Sequence, residues 1–389
     1  MSTLMPHQAA LIASGVYSLR ERSVSQSADR GVKLGCEDMF AVDGSSRFTG
    51  RSGGLISVKQ LSGFGYIAAG TGSYQNEVLV ATRGTETMYD WLSNFNIGMQ
   101  LGPAGQLVHA GFHEVWKSFS VDVANFLRGR NPTVIHCVGH SLGGALATLN
   151  ADHFSSIGAA EVKLYTFGSP RTGGAFFARS LTRRVGRQNM YRVHHRSDPV
   201  PKIPLFPFIH VPTAEPGYQL TAGPSGLINT DAHSMELSYV PGVGQDSWQA
   251  LARRGASGED DMNAQLWLDQ VSAGGGGILM GGAWGLMMIG KALNWLMGKI
   301  GTLALNTFGL QFAMGMTVLD QLAWLLGKGA ELSIGVSSYV GAIITAIFRF
   351  LGRTATAGAS LTVSFIRWVL GLLFNALVAV ANRAFMLVG

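Results

Sequence analysis

A serine flanked by glycines at residues 139–144 has the type and spacing of a hydrolase nucleophile. The stretch reads Gly-His-Ser-Leu-Gly-Gly and centres on Ser141. It follows the apolar run 133–138, which is typical of a buried strand, and precedes the helix-like run 145–149. A serine on a tight turn between a strand and a helix has its hydroxyl exposed at the edge of the sheet. We therefore predict that Ser141 is a nucleophile.

A serine nucleophile needs an acid that orients its base, and Asp198 is the candidate. The preceding residues 191–197 are strand-like, and Pro199 follows directly and ends the strand. Parallel sheets present functional side chains at the ends of their strands. Asp152 is a weaker candidate because it belongs to the helix that follows Ser141.

The order of residues along the chain narrows the choice of the base. Five histidines follow the serine: His153, His194, His195, His210 and His233. In α/β hydrolases the acid precedes the histidine, which excludes the three histidines before Asp198. His210 lies in an apolar strand-like segment, whereas His233 lies in a polar loop before a helix-like turn. This reasoning favours His233 and keeps His210 as the alternative.

The elements that must position these side chains alternate between strands and helices up to residue 255. Strand-like runs occur at 63–69, 77–81, 133–138, 161–167 and 189–194, and a helical pattern at 114–126. Such alternation predicts a largely parallel sheet covered by helices. We expect residues 1–255 to form one α/β domain, followed by a polar linker at 256–269.

Residues 270–389 are strongly apolar and differ in polarity from the rest of the chain. Seven positive and two negative side chains give them +5 of the net charge of +6. Runs that are uncharged, or that contain Arg367 alone, are 270–290, 300–319, 332–348 and 354–382. Because a transmembrane helix needs ~20 mostly apolar residues, we expect an all-helical region that inserts into or contacts a membrane. A buried helical bundle or an oligomerisation domain is the alternative.

Charge and cysteine content suggest the partners and the compartment. Sparse cations between apolar runs favour a membrane surface over nucleic acid as the partner. Cys36 and Cys137 do not suggest a disulfide framework. A short apolar stretch at the N-terminus is followed by Arg20, Glu21 and Arg22, which does not fit a secretory signal. We expect cytoplasmic synthesis, an amphipathic first helix and association with a membrane. No pattern indicates a metal or a cofactor.

Five stretches together resemble the class 3 lipases, the fungal triacylglycerol lipase family and its bacterial relatives. In the order of that family they are Ala81–Thr85 with Asp90–Leu92, His109–Phe112, Gly139–Gly144, Thr166–Arg171 and Asp198–Pro201. The resemblance spans residues 1–240. It implies an α/β-hydrolase fold and the hydrolysis of carboxylic esters of lipids.

The resemblance also bears on the histidine. The family places its catalytic histidine in a late Asp-His motif, which corresponds here to Asp231-Ala232-His233 with one additional alanine. His210 corresponds to a separate, non-catalytic histidine of the family. The implied triad is therefore Ser141, Asp198 and His233.

The oxyanion donors and a lid follow from the same comparison. The backbone N–H of Leu142, directly after the nucleophile, is the first expected donor. The family's second donor corresponds to Thr85. Residues 87–95 are similar to the lid of these lipases, with an apolar stripe of Met88, Trp91, Leu92 and Phe95. Ordinary core packing is an equal alternative for that stripe.

We therefore expect a carboxylic ester hydrolase that acts on membrane phospholipid or acylglycerol through an acyl-enzyme. The alternative is a membrane-inserting or pore-forming protein with a secondary hydrolase domain. A lipase without a signal and with an apolar tail also resembles bacterial effectors exported by contact-dependent secretion systems. That resemblance implies a chaperone and an immunity protein as partners.

Overall fold

The computed structural model describes the chain in several segments, of which the longest, 98–204, contains Ser141 and Asp198. The described residues are 2–19, 34–42, 46–52, 60–84, 98–204, 207–213, 217–225, 229–255, 264–275, 285–293, 295–297, 300, 317–354 and 360–386.

A mixed sheet is the centre of the first 255 residues. The described strands are β1 (Phe40–Ala41), β2 (Arg47–Ser52), β3 (Gln60–Gly70), β4 (Glu77–Thr82), β5 (Met99–Leu101), β6 (Leu107–His109), β7 (Val134–His140), β8 (Glu161–Phe167), β9 (Gly173–Gly174), β10 (Met190–His195), β11 (Phe208–Ile209) and β12 (Tyr218–Leu220). The main sheet has the order β1-β3-β4-β7-β8-β10-β12, with β2 paired to β3. From β4 to β12 neighbouring strands are parallel, and β3 is antiparallel to β4. The predicted strands and their largely parallel arrangement are therefore confirmed.

Helices cover both faces of this sheet. The described α-helices are α1 (Pro6–Gly15), α2 (Ala110–Leu127), α3 (Leu142–Ser156), α4 (Ala175–Val185), α5 (Val240–Val243), α6 (Trp248–Gly255), α7 (Ala264–Ser272), α8 (Val318–Leu332), α9 (Ile334–Phe350) and α10 (Val363–Met386). Residues 285–293 and 295–297 are also helical. A smaller antiparallel sheet, β11-β9-β6-β5, lies beside α4.

Alternate residues of the central strands enter two separate hydrophobic cores. On β4, Val78 and Val80 pack with α2, α3 and α4, whereas Leu79 and Ala81 pack with α1. All seven residues of β7 are buried, as expected for a central parallel strand covered on both faces. Cys137 on β7 is buried and unpaired, and so is Cys36.

The first residues of the chain lie across the end of the sheet opposite the strands' carboxyl ends. The Ser2 N–H donates to Glu77 Oε1 at 3.1 Å, and the Leu4 N–H donates to the Tyr165 hydroxyl at 3.1 Å. Lys163 Nζ donates to the Ser2 carbonyl at 2.7 Å, and Trp248 Nε1 donates to the Leu4 carbonyl at 2.8 Å. These bonds fix the start of α1 on the sheet.

The C-terminal helices bury their apolar residues against one another. Helix α8 packs against α9 and α10, and α9 packs against α7. Buried residues include Ile343 and Ile347 on α9 and Leu370 and Leu373 on α10, within the hydrophobic core that also contains α2 and α3. Helix α10 also contacts the short 3-10 helix Asp231–His233. The described parts of the apolar runs therefore form a packed helical layer beside the α/β unit.

Two expectations for the chain after residue 255 need correction. The predicted linker 256–269 is helical in its second half, because α7 begins at Ala264 and buries Trp267 and Leu268. In the part of the chain that the structure describes, no helix is both long enough and apolar enough to cross a membrane. The expected spanning segments are not found there, although most of 300–319 lies outside the described residues.

A parallel sheet with a serine directly after its central strand and helices on both faces is the architecture of an α/β hydrolase. The chain adds the C-terminal helical layer to this domain. The expected fold class is confirmed.

Candidate active site

Ser141 lies on a strained turn between β7 and α3. Its backbone has φ 60° and ψ −133°, a left-handed region that side chains other than glycine rarely occupy. The turn is held by a bond of 2.9 Å from the Ser141 N–H to the Phe167 carbonyl on β8. Such strain at a functional serine fixes the direction of its side chain.

Gly143 allows helix α3 to approach the end of β4. A Cβ atom at this position would lie 2.2 Å from the Thr82 carbonyl oxygen, which no side chain tolerates. The Thr82 hydroxyl in turn donates to the Gly143 carbonyl at 2.7 Å. The glycine of the motif therefore has a packing reason, which is to place the start of α3 beside β4.

Asp198 is buried just beyond the end of β10 and accepts hydrogen bonds on both oxygens. Its Oδ1 accepts the Val200 N–H at 2.8 Å. Its Oδ2 accepts from His233 Nδ1 at 2.8 Å and from the Tyr239 hydroxyl at 2.6 Å. Three donors on one buried carboxylate hold it in a single orientation.

His233 follows β12 on a turn of 3-10 helix and is fully buried. Because Nδ1 faces the Asp198 carboxylate, Nδ1 carries the proton of the neutral ring, and Nε2 carries the lone pair. This is the tautomer that a general base next to a serine requires.

The alternative candidates for the catalytic base and acid have other hydrogen-bond or ion-pair partners. His210 Nε2 donates to the Pro201 carbonyl at 2.7 Å, and His195 Nδ1 accepts the Ser197 N–H at 3.1 Å. Asp152 pairs with Arg184. The structure brings His233 to Asp198 and places His210 on a backbone carbonyl.

A second buried histidine connects the nucleophile turn to His233. His140, directly before Ser141, donates from Nε2 to the His233 carbonyl at 2.8 Å. Its Nδ1 therefore carries no proton and accepts a hydrogen bond of 2.8 Å from the Tyr17 hydroxyl. The same hydroxyl accepts the Gly84 N–H at 3.3 Å. Tyr17 thus links three segments of the site.

Burial controls the protonation of this pair. Desolvation, with a smaller contribution from the nearby His233, lowers the pKa of His140 well below its usual value. Desolvation also raises the pKa of Tyr17 far above the usual value of 10. Both groups are therefore neutral near pH 7, as the hydrogen-bond directions require.

Ser141 Oγ is buried and has no hydrogen-bond partner among the described residues. The Gly84 backbone lies beside it, since a Cβ added to Gly84 would be 3.5 Å from Oγ. Gly168, which follows the Phe167 partner of Ser141, would place a Cβ 3.1 Å from His233 Nδ1. The serine, the histidine and the aspartate are thus assembled around the same strand ends.

One expected oxyanion donor is described. Leu142 is the first residue of α3, so its backbone N–H has no acceptor within the helix and lies directly after the nucleophile. Thr85 lies outside the described residues, directly after Gly84. The expected lid residues are also outside them: Met88, Trp91, Leu92 and Phe95.

Sequence reasoning missed two tyrosines of the site. Tyr17 comes from the turn after α1, and Tyr239 lies at the end of a π-helical turn, six residues after His233. Each lies in an apolar stretch where an aromatic residue is expected as packing, so no local pattern marks its hydroxyl as functional. Only the fold reveals their polar partners.

The chain is similar to a known protein family and to several of its members. The family model described as "Lipase (class 3)" matches residues 79–208, which contain Ser141 and Asp198 but not His233. "Secreted mono- and diacylglycerol lipase 1" from Fusarium solani is 38% identical over 197 residues, which are 49% of this chain and 56% of that protein. This chain thus spans little more than half the length of that relative.

Two further relatives extend the comparison. "Secreted mono- and diacylglycerol lipase A" from Penicillium cyclopium is 31% identical over 222 residues, or 54% of this chain and 68% of that protein. "Phospholipase A1-II 1" from Oryza sativa subsp. indica is 29% identical over 181 residues, or 38% of this chain and 45% of that protein. Together with the family match and the buried Ser141, Asp198 and His233, these similarities show that the chain belongs to the class 3 lipase family.

Proposed function

We propose that this protein hydrolyses carboxylic esters of lipids through Ser141. The observation that carries the proposal is the buried bond of 2.8 Å between His233 Nδ1 and Asp198 Oδ2, next to a serine held at φ 60°. An oriented imidazole beside a strained serine is the arrangement that nucleophilic acyl transfer requires.

The mechanism follows from these positions. Ser141 Oγ attacks the ester carbonyl while His233 Nε2 takes the hydroxyl proton. The Asp198 carboxylate stabilises the imidazolium that forms, and His233 then protonates the departing alkoxide. The Leu142 N–H, with Thr85 as the expected second donor, stabilises the oxyanion. Water, deprotonated by His233, hydrolyses the acyl-enzyme and releases the fatty acid.

Acylglycerol and phospholipid are the proposed substrate classes. The relatives are named as mono- and diacylglycerol lipases and as a phospholipase A1, which supports an ester between glycerol and a fatty acid in both cases. Both substrates present the same reacting carbonyl to Ser141. The two classes differ in the head group, and assays with defined lipids distinguish them.

The first experiment compares the wild-type protein with Ser141→Ala on vesicles of defined acylglycerol and phospholipid. Released fatty acids and lysolipids are identified by mass spectrometry. We expect Ser141→Ala to lose at least about 1,000-fold in kcat with the fold intact, because the nucleophile is gone. Ser156→Ala is the matched control, since Ser156 is exposed near the end of the same helix and bonds only its own helix backbone. Full activity in Ser141→Ala would refute the proposal.

Export as an antibacterial effector with a chaperone and an immunity protein stays a prediction. Targeting the protein to the periplasm of a test bacterium should stop growth, and Ser141→Ala should not. The pore-forming alternative makes the opposite prediction, because dye would leak from vesicles even with Ser141→Ala. Growth arrest that persists in this variant would favour the alternative.

A further inference from the structure

We propose that one end of the C-terminal helical layer is a docking surface for an anionic phospholipid bilayer. The start of α8, the end of α9 and the start of α10 meet there. The Arg367 guanidinium on α10 pairs with the Asp320 carboxylate on α8. The Trp368 ring lies 6.0 Å from the Phe348 ring of α9, measured between centroids. We call the exposed residues of this end the arginine–tryptophan surface: Arg349, Arg353, Arg367 and Trp368.

A tight turn fixes two of the arginines. Gly352 has φ 68°, its N–H donates to the Arg349 carbonyl at 3.0 Å, and the Arg353 N–H donates to the Phe348 carbonyl at 2.8 Å. This left-handed termination ends α9 abruptly and keeps Arg349 and Arg353 four residues apart on a closed turn. Both side chains are exposed. The turn therefore fixes the backbone of both exposed arginines at the end of α9.

Trp368 has the exposure of an interfacial anchor. It is 51% exposed, and its ring also contacts Phe365, with 5.9 Å between centroids. Part of the indole thus packs against aromatic neighbours while the rest faces solvent. Tryptophan is enriched at the level of lipid head groups because its ring is apolar and its N–H is polar.

Charge favours the lipid phosphate as the binding group. At this end Arg349, Arg353 and Arg367 are cationic, and Asp320, which pairs with Arg367, is anionic, so the surface has a net positive charge. Arginine forms paired hydrogen bonds with phosphate oxygens. A single-stranded nucleic acid would satisfy the same charges and stack a base on the indole, but the ring lies at the end of an apolar helical layer, as interfacial tryptophans do. The combination of arginines with a tryptophan fits a bilayer surface better.

This contact differs from insertion of the apolar helices. Residues such as Ile343, Ile347 and Leu373 are already buried in the core. We infer a peripheral contact through the arginine–tryptophan surface, which goes beyond ester hydrolysis and does not depend on it. An enzyme held in this way would keep its substrate surface close between turnovers.

The test measures vesicle binding by flotation with the Ser141→Ala protein, so that no lipid is consumed. Vesicles of phosphatidylcholine alone are compared with vesicles of phosphatidylcholine and phosphatidylglycerol. We expect binding to the anionic vesicles only. Arg349→Gln with Arg353→Gln should weaken it about 25-fold, since each cation near an anionic surface contributes about a factor of five. Trp368→Ala should weaken it as well.

The matched control is Arg183→Gln with Arg187→Gln, which removes two exposed arginines from the α4 region and changes the net charge equally. It should bind as the parent protein does. Equal binding to both kinds of vesicle, or an equal loss in the control, would overturn the proposal. So would unchanged binding in the Arg349/Arg353 variant. Binding of an RNA oligonucleotide through the same arginines, without vesicle binding, would assign the surface to nucleic acid and overturn the proposal too.

Discussion

The Tyr17 hydroxyl lies 2.8 Å from His140 Nδ1, so a residue after the first helix supports the residue before the nucleophile. His140 in turn donates a hydrogen bond of 2.8 Å from its Nε2 to the His233 carbonyl. The Gly84 N–H, next to the expected oxyanion residue Thr85, bonds to the same tyrosine oxygen. Tyr17 and His140 therefore connect the segments that carry Ser141, His233 and the expected oxyanion residue Thr85. They do so through hydrogen bonds that do not involve the reacting atoms.

Tyr17→Phe should slow ester hydrolysis about tenfold in kcat with little change in KM. The substitution keeps the ring but leaves His140 Nδ1 and the Gly84 N–H without their partner, which costs about 1–3 kcal/mol of positioning and stability. Steady-state kinetics on a soluble short-chain ester measure the effect. Tyr74→Phe is the control, because its hydroxyl bonds Gln8 on α1 at a distance of 3.4 Å, away from Ser141. A normal kcat in Tyr17→Phe would refute the positioning role.

Tyr239→Phe should also lower kcat, by about fivefold, because Asp198 Oδ2 loses one of its donors. The remaining bond to His233 would then hold a less constrained carboxylate. The His195 N–H, which donates to the same hydroxyl at 3.2 Å, also loses its acceptor, so stability falls by about 1–2 kcal/mol. Kinetics and urea unfolding separate the two effects. Tyr66→Phe, buried against Cys36, should affect stability alone.

Gly168→Ala should inactivate the enzyme. Gly168 has φ +54°, and an added Cβ would lie 2.8 Å from Asp198 Oδ2 and 3.1 Å from His233 Nδ1. The methyl group therefore displaces the two residues that must stay bonded. Gly158→Ala is the control, because its φ of +63° imposes similar strain with nothing within 4 Å. It should lose only about 1 kcal/mol of stability and keep its kcat. Similar kcat values for the two variants would contradict the clash.

Stability should fall as the pH drops from about 7.5 to about 5.5. Desolvation lowers the pKa values of His140, His194 and His210 well below 6.5 in the folded protein. Below pH 6.5 the unfolded chain takes up protons that the folded chain excludes, so protonation favours unfolding. Each histidine contributes up to about 1.4 kcal/mol per pH unit in this window. Urea unfolding at several pH values measures the slope, and a flat profile would contradict the burial of neutral rings.

The order of motifs predicted much of the site. Ser141 is preceded by a buried strand and followed by a helix, and Asp198 follows another strand, so parallel pairing alone brings them to one edge. His233 could be favoured because it comes after Asp198 in a polar loop. The hydroxyls of Tyr17 and Tyr239 could not be predicted, because their partners are distant in sequence.

The apolar C-terminal region was harder to interpret. A long apolar run is compatible with a lipid environment and with a protein core, because both remove side chains from water. Ile343 and Leu373 are buried between packed helices, but the composition of a segment does not predict which other helix it packs against. The sequence around Trp267 did not predict that the second half of the expected linker would form a helix that packs against α9.

The bonds that hold residues 2–4 also bear on the speed of folding. The Leu4 carbonyl is bound by Trp248, 244 positions later, and the Ser2 N–H by Glu77. Both bonds therefore join segments that lie far apart along the chain. Contacts so far apart in sequence slow folding, because a long loop must close before they form. Tyr17 follows this segment and bonds His140, which lies 123 positions later, so the hydrogen bonds around the site also depend on contacts that close long loops.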